Sequence, residues 1–310
     1  MTLTEPAPIL IAGTGALANL FAARLSAAGH AVSMLGSWPD GLEALRTKGV
    51  RLHAADGGTT VYPVEASDDP VEFGGAKLAL VLVKAWQTER VAQQLAEALD
   101  AEGVALTLQN GLGNREALAA QLGEERVAFG VTTTGANLLG PGQVQAGGEG
   151  VISLGPHPRL APLSAALKGA GFQVQEVENV ESLAWSKLVI NAAINPLTAV
   201  LGVRNGELLA RPSARDLLGQ LAREVAAVAA AQGIPLTSDD PVAAAEGVAE
   251  RTAANLNSML QDVQRGAPTE IEAICGAVVR AGEEAGVPTP VNATLLNLVK
   301  AIVEYKNEDR

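Results

Sequence analysis

Cysteine is nearly absent from this chain. The single Cys275 excludes an intrachain disulfide framework and a cysteine-based metal cluster, and it fits a reducing compartment. Aromatics make up only 3% of the residues, so any interior must be mainly aliphatic. Histidine is scarce too: His30, His53 and His157 are scattered with no ligand spacing, and no metal site is expected. Basic residues are in deficit, with 22 Lys+Arg against 34 Asp+Glu and a formal charge of -12. That balance argues against a general nucleic-acid or anionic-membrane partner. Long apolar runs are missing as well. The N-terminus carries no basic region, and "APILIAG" is too short to span a bilayer, so a cytoplasmic location is expected. The chain itself has 310 residues, 48% of them hydrophobic, and is long enough for about two domains.

The first half alternates short apolar runs with helical patterns. "PILIAGTG", "AVSML", "KLALVLVKAW" and "GVALTLQNG" read as strands, and "RVAFGVTTTGAN" and "GVISLG" as later, more irregular ones. Between them "GALANLFAARLSAAGH", "QTERVAQQLAEALD" and "NREALAAQLG" have helical periodicity. Apolar strands alternating with helices imply α/β architecture, with a parallel, doubly wound sheet covered on both faces. The glycine-rich stretch 135–150 should form hairpins at a sheet edge. After a last short strand, "FQVQEV", the character changes, and from about Val180 nearly every long segment reads as helix. Among these, "DPVAAAEGVAERTAANLNSMLQDVQRG" reads as one helical segment. Two domains follow, 1–179 and an all-α domain 180–310, with fraying expected before Ala7 and at the terminal "NEDR".

"IAGTGALAN" holds Gly13, Gly15 and Ala18 in a G-x-G-x-x-A pattern between the first strand and the first helix. Gly13 permits the tight turn, Gly15 lets the backbone approach a pyrophosphate, and Ala18 is small enough for close helix–strand packing. The helix N-terminus then offers its unpaired N–H groups to the anion. The candidate nucleotide contacts are Gly13, Thr14, Gly15, Ala16, Leu17 and Ala18. About 20 residues on, where an acid would select NAD and an arginine NADP, stands Ser37. Lack of an acid there tilts the expectation towards NADP(H), with NAD(H) still open. Asp40 reads as a helix N-terminal residue. The plainer alternatives are a glycine turn used only for packing and a loop serine with no ligand.

Ligands of an open parallel sheet bind beyond the carboxyl ends of its strands. Two strands end in polar residues there, "LVLVKAWQT" at Lys84 and "LTLQNGLGN" at Asn110. Taken singly, each also reads as a snorkelling lysine or a plain turn. A third feature lies in the second half. "WSKLVINAAINPLTA" is an apolar helix in which Lys187, Asn191 and Asn195 recur every four residues and so share a face. A solvated stripe would be richer in charge than one surrounded by Leu188, Val189, Ile190 and Ile194.

With these pieces in order ("GTGALA", "VKAWQT", "QNGLGN", "TTTGA", "WSKLVINAAINPLTAV" and "NSMLQDVQRGAPTEIEAICGAVV"), the chain resembles the ketopantoate reductase family over nearly its whole length. The resemblance implies a Rossmann domain and a helical domain with the active site between them. It also implies NADPH-dependent reduction of 2-dehydropantoate to pantoate in pantothenate synthesis. By position, Lys187 matches the family's catalytic lysine and Glu270 its motif acid. Lys84, Asn110, Asn191, Asn195 and Ser258 match residues lining the substrate and nicotinamide site, so Lys84 and Asn110 are candidates for contacts to cofactor as well as substrate. Two departures stand out: Ala18 replaces the usual third glycine, and Ser37 stands where an arginine for the 2′-phosphate is common.

Hydride transfer to a ketone leaves negative charge on the carbonyl oxygen, which a positioned acid stabilises and protonates. A partly desolvated lysine suits that task, and the amides of Asn191 and Asn195 can hold it without neutralising it. Pro196 should disturb the helix just beyond them. Glu270 reads alternatively as a helix-start acid with Thr269 near the cap. Ser258 reads as a mid-helix serine with a polar target such as a carboxylate. Asn255 and Asn257 are expected to face solvent or cap locally, and Cys275 to be a small buried hydrophobe. Two alternatives remain: a relative acting on another 2-keto or 3-hydroxy acid, and a non-catalytic nucleotide sensor. The expected partner is a small ketoacid; the sequence leaves the oligomeric state open, a homodimer being one candidate.

Overall fold

The computed structural model describes residues 7–308, so the fraying expected before Ala7 lies outside the described residues. The chain divides into two compact units. The first comprises Met1–Val83, Gln87–Gln109 and Asn114–Val180; the second comprises Lys84–Trp86, Asn110–Gly113 and Glu181–Arg310.

The first unit begins β1 (Ile9–Ala12), α1 (Ala16–Ala27), β2 (Val32–Leu35), α2 (Pro39–Lys48), β3 (Val50–His53), β4 (Thr59–Tyr62), β5 (Glu65–Ser67) and β6 (Ala76–Val81). It continues with α3 (Thr88–Ala98), β7 (Leu99–Thr107), α4 (Asn114–Leu122), β8 (Val127–Thr132), β9 (Gly135–Gly140), β10 (Gln143–Gly148), β11 (Val151–Leu154), α5 (Ala161–Gly169) and β12 (Gln173–Glu176). Eight strands form one sheet in the order β12-β11-β8-β7-β6-β1-β2-β5. Every neighbouring pair in it is parallel except β11 with β8. Successive residues of β1 go to opposite cores: Ile9 and Ile11 pack with Phe21, Met34 and Leu80 on one face, Leu10 and Ala12 with Val81, Val91 and Leu95 on the other. A strand buried on both sides has no reason to alternate polar residues, which is why β1 and β6 read as continuous apolar runs.

A second sheet, β4-β3-β10-β9, is where the sequence was least informative. The β9–β10 hairpin falls in the glycine-rich stretch and takes a sheet edge, but it pairs through β10 in parallel with β3, Gln143 opposite Arg51.

The second unit is helical: α6 (Val180–Leu201), α7 (Pro212–Ala231), α8 (Pro241–Arg251), α9 (Ser258–Gln264), α10 (Ala277–Ala285) and α11 (Pro290–Glu308). Its core is aliphatic, with Trp185 its one fully packed aromatic among the described residues. Two expectations are corrected. The segment expected as one helix is two, because α8 ends at Arg251 and α9 starts afresh where the Asn257 side chain accepts from Leu260 N at 3.1 Å. Pro196 does not break α6, which runs on to Leu201; its ring nitrogen merely denies Ala192 a helical donor. α11 is helical to Glu308, and the last two residues of the terminal "NEDR" lie outside the described residues. None of the described helices is long and apolar enough to cross a membrane.

Candidate functional site

The loop between β1 and α1 meets the stereochemistry expected of a dinucleotide turn. Gly13 has φ +135°, and a Cβ there would lie 3.1 Å from the Leu82 carbonyl, so only glycine fits. At Gly15 an added Cβ would meet nothing within 4 Å, which leaves an open face above the first turn of α1. Thr14 and Ala18 are buried, Ala16 and Leu17 half-buried. A device missed in the sequence is Asn19, one residue past the fingerprint and fully buried. Its Nδ2 donates to the carbonyls of Thr14 at 2.9 Å and Gly15 at 2.8 Å, pinning the turn from inside. With backbone N–H groups uncapped by any side chain and a glycine-lined face, these residues fit a pyrophosphate. Ser37 is exposed just past β2, and Asp40 lies in the first turn of α2.

The roots of the Lys84 and Asn110 segments are tied together within the first unit. Gln109 Nε2 donates to Val83 O at 3.1 Å and to Thr88 Oγ1 at 2.8 Å. Thr107 Oγ1 donates to Gln109 Oε1 at 2.9 Å, and Thr88 Oγ1 to Asn114 Oδ1 at 2.9 Å. All four residues are buried, so these bonds fix where the two excursions leave the sheet.

In the second unit those excursions meet Glu270. This acid is 6% exposed. Its Oε1 accepts from Ala85 N at 3.2 Å, its Oε2 accepts from Asn110 Nδ2 at 3.3 Å, and Oε2 lies 3.5 Å from Lys84 Nζ. Glu270 stands at the start of a helix, as its alternative reading expects. It accepts from Ala273 N and Ile274 N at 3.1 Å each through its main-chain carbonyl, which leaves the carboxylate available to the excursions. The next residues, Glu272–Gly276, form a π-helical turn. Leu112 N donates to the Ala273 carbonyl at 2.9 Å. Gly111, at φ +80°, approaches so closely that a Cβ would lie 2.2 Å from that oxygen. π turns are rare and concentrate at functional sites.

The strongest omission from the sequence reading is Asp262. It is buried on α9, with Oδ2 2.8 Å from Lys84 Nζ and Oδ1 2.5 Å from Arg265 Nη2. Its position four residues after Ser258, on the same helical face, was the available signal. Burial by itself would depress Lys84, but the charges of Glu270 and Asp262 outweigh it and the net shift is upward. Lys84 is thus held as a permanent cation.

Lys187 behaves oppositely. Burial lowers its pKa to about 8, and the charge of Glu270 offsets this only in part. Asn191 and Asn195 follow it on α6 as expected, and among the described residues neither amide has a hydrogen-bond partner, although Asn195 is buried. Amides with open hydrogen-bonding capacity on one helix face suit a polar ligand. Ser258, expected mid-helix, is instead the exposed first residue of α9, directly after its Asn257 cap. Asn257 also reaches inward, its Nδ2 donating to Asn205 Oδ1 at 3.0 Å, while Asn255 is exposed. Cys275 is buried, and burial pushes its thiol up out of any nucleophilic range.

Residues 9–159 match the model of the ketopantoate reductase PanE/ApbA family, and residues 179–303 that of its C-terminal domain. The chain is 40% identical over 300 residues to 2-dehydropantoate 2-reductase of Archaeoglobus fulgidus, covering 95% of this chain and 97% of the relative. It is 35% identical over 297 residues to that of Halobacterium salinarum, covering 94% and 97%. A PanE/ApbA family ketopantoate reductase from Ralstonia eutropha JMP134 superposes with a TM-score of 0.90 at 32% identity, covering 97% of this chain and 99% of that one. D-mandelate dehydrogenase in a ternary structure with NADH and anilino(oxo)acetate also superposes at 0.90, at 26% identity and the same coverage. This chain belongs to the ketopantoate reductase family of NAD(P)-dependent oxidoreductases.

Proposed function

We propose that the protein reduces 2-dehydropantoate to pantoate with NADPH, the reductive step towards pantothenate, with Lys187 as general acid. The observation that carries this reading is the contrast between two lysines that share one carboxylate. Lys84 is kept charged by two acids, whereas Lys187 is brought near neutrality by burial that Glu270 offsets only in part. A general acid works best with a pKa near the operating pH, and of the two only Lys187 meets that condition.

The reduced nicotinamide supplies the hydride. Lys187 Nζ donates a proton to the carbonyl oxygen as charge builds there, and Glu270 holds enough of the ammonium form in place for it to act. Glu270 also accepts from the substrate's hydroxyl, its orientation fixed by Ala85 N and Asn110 Nδ2. The amides of Asn191 and Asn195 hydrogen-bond the substrate, and the exposed Ser258 hydroxyl suits its carboxylate. The loop Gly13–Ala18 takes the pyrophosphate, and the absence of an acid at Ser37 admits a 2′-phosphate. Lys84 and Asn110 support both substrate and nicotinamide, chiefly through Glu270.

A second reading, reduction of another 2-keto acid, is favoured by the likeness to D-mandelate dehydrogenase. A kinetic matrix of NADPH and NADH against 2-dehydropantoate, phenylglyoxylate and simpler 2-keto acids separates the two. The proposal requires the highest kcat/KM for NADPH with 2-dehydropantoate. Reduction of 2-dehydropantoate no faster than of the simpler acids rejects it.

A further inference from the structure

Ser37 leaves the end of β2 without the cation that a 2′-phosphate needs. The neighbouring strand brings other residues to that place. β5 runs parallel to β2 with Leu35 opposite Ser67, and Gly36 N donates to Ser67 O at 3.0 Å. Asp68 and Asp69 therefore follow directly beside Gly36 and Ser37. Both acids are committed: Asp68 Oδ1 accepts from Arg46 Nη2 at 3.2 Å, and Asp69 Oδ1 accepts from Val71 N at 2.9 Å.

One cation near this edge is not committed to an acid. Arg90 is the third residue of α3. Its Nη1 donates to Gln94 Oε1 at 2.7 Å, and Gln94 Nε2 donates to the Asp68 carbonyl at 3.2 Å. That relay ties Arg90 through Gln94 to the residue that follows β5, the strand paired with β2. Arg90 is half-buried, and its Nη2 is sealed from solvent with no hydrogen-bond partner among the described residues. Burial lowers its pKa, and no carboxylate offsets the effect. Arg46 and Arg24, by contrast, pair with Asp68 and Glu149.

A half-buried guanidinium without a counter-ion costs stability, and an incoming anion repays that cost. Its planar fork matches a phosphate group, to which it donates two parallel hydrogen bonds. We infer that Arg90, reached from α3 and not from β2, is the residue that receives the adenosine 2′-phosphate and selects NADPH. This rests on the NADPH preference proposed above. Arg90 leaves Gln94 to do so, and Gln94 remains bonded to Asp68.

The test is isothermal titration of the intact protein with NADPH, NADH, 2′,5′-ADP and 5′-AMP. The wild type is expected to bind NADPH and 2′,5′-ADP more tightly than their counterparts without the phosphate. Arg90→Gln should weaken both phosphorylated ligands by roughly 10- to 100-fold, as for a lost charge-assisted pair. NADH and 5′-AMP should bind the variant as they bind the wild type, which also certifies its fold. Arg90→Lys should restore part of the discrimination. If the wild type discriminates and Arg90→Gln discriminates equally well, Arg90 is not the selector while the NADPH reading stands. If the wild type binds NADH as tightly as NADPH, both fall together.

Discussion

Lys84 Nζ lies 2.8 Å from Asp262 Oδ2, a pairing between residues 178 positions apart. Asp262 is 4% exposed at its side chain against 35% for Lys84, so the charge most in need of a partner is the acid. Asp262→Asn should therefore destabilise the fold by roughly 2 kcal/mol, below the 3–5 kcal/mol of a fully buried pair because Lys84 is partly screened. It should also lower kcat/KM about tenfold as Lys84 turns fully onto Glu270 and changes its aim. Urea unfolding and steady-state kinetics check the two effects. Unchanged stability would mean that the ion pairs of Asp262 with Lys84 and Arg265 add nothing net to the fold.

Lys187→Ala should reduce kcat by roughly 100-fold or more while leaving NADPH affinity intact, as expected for loss of a general acid. Rapid titration of cofactor binding beside turnover separates the two. Near-normal turnover removes Lys187 from the chemistry.

The pKa of about 8 gives the pH profile a direction. Reduction needs the protonated lysine, so kcat/KM should be flat below about 8 and fall as pH rises through it. Oxidation of the hydroxy acid needs the neutral amine and should rise through the same value. Stability responds too. The folded pKa lies below the ordinary 10.5, so the folded state binds fewer protons than the unfolded chain between the two values. The contribution of Lys187 to stability therefore rises with pH from about 8 to 10.5, and is at its least favourable below 8. Denaturant titrations should show the stability of the wild type, relative to Lys187→Met, rising across that window.

Gly111→Ala and Gly113→Ala form an informative pair. Both glycines have positive φ, +80° and +87°, so each substitution strains the backbone by about 1 kcal/mol or more. Only Gly111 meets Ala273, at 2.2 Å from the added Cβ, whereas nothing lies within 4 Å at Gly113. Gly111→Ala should displace Asn110 from Glu270 and cut kcat/KM roughly 100-fold, as a misplacement near 1 Å does. Gly113→Ala should lose stability with little change in turnover. Equal kinetic effects would indicate that loop strain, not the approach to Ala273, governs the site.

Asn19→Ala should weaken NADPH and NADH alike by about tenfold, since two side-chain bonds that pin the Thr14 and Gly15 carbonyls are lost. Equilibrium titration with each cofactor measures it, and a selective loss of one cofactor would contradict a role confined to the shared pyrophosphate.

The parts of this molecule that could be read from the chain are those whose physics is local. Gly13 announced its turn because no other residue tolerates φ +135° there, and the Lys187 stripe declared itself because helical neighbours recur every fourth residue. The pairing of β3 with β10 was hidden because it joins distant segments of weak pattern. The role of Asp262 comes from Lys84, which no periodicity in the chain connects to it. Ser258 was misplaced because a stop at Arg251 and a restart at Asn257 looked like one continuous helical pattern. Pro196 misled in the other direction: tertiary packing of α6 on all sides outweighs the single donor it withholds. The π turn has no signature in residue type at all.

That turn has a further consequence for how the second unit tolerates change. An α-helix advances about 100° per residue, so the one extra residue wound into Glu272–Gly276 acts as a phase setting between Glu270 on one side and α10 on the other. Upstream, it fixes the side on which Glu270 emerges; downstream, it fixes which edge of α10 turns Val278 into the core. Loss of a single residue there would convert the winding to ordinary helix and force one of those two alignments to give way. Substitutions are therefore far safer in this stretch than changes of length, and a length change in 272–276 marks a chain whose acid and core no longer face as they do here.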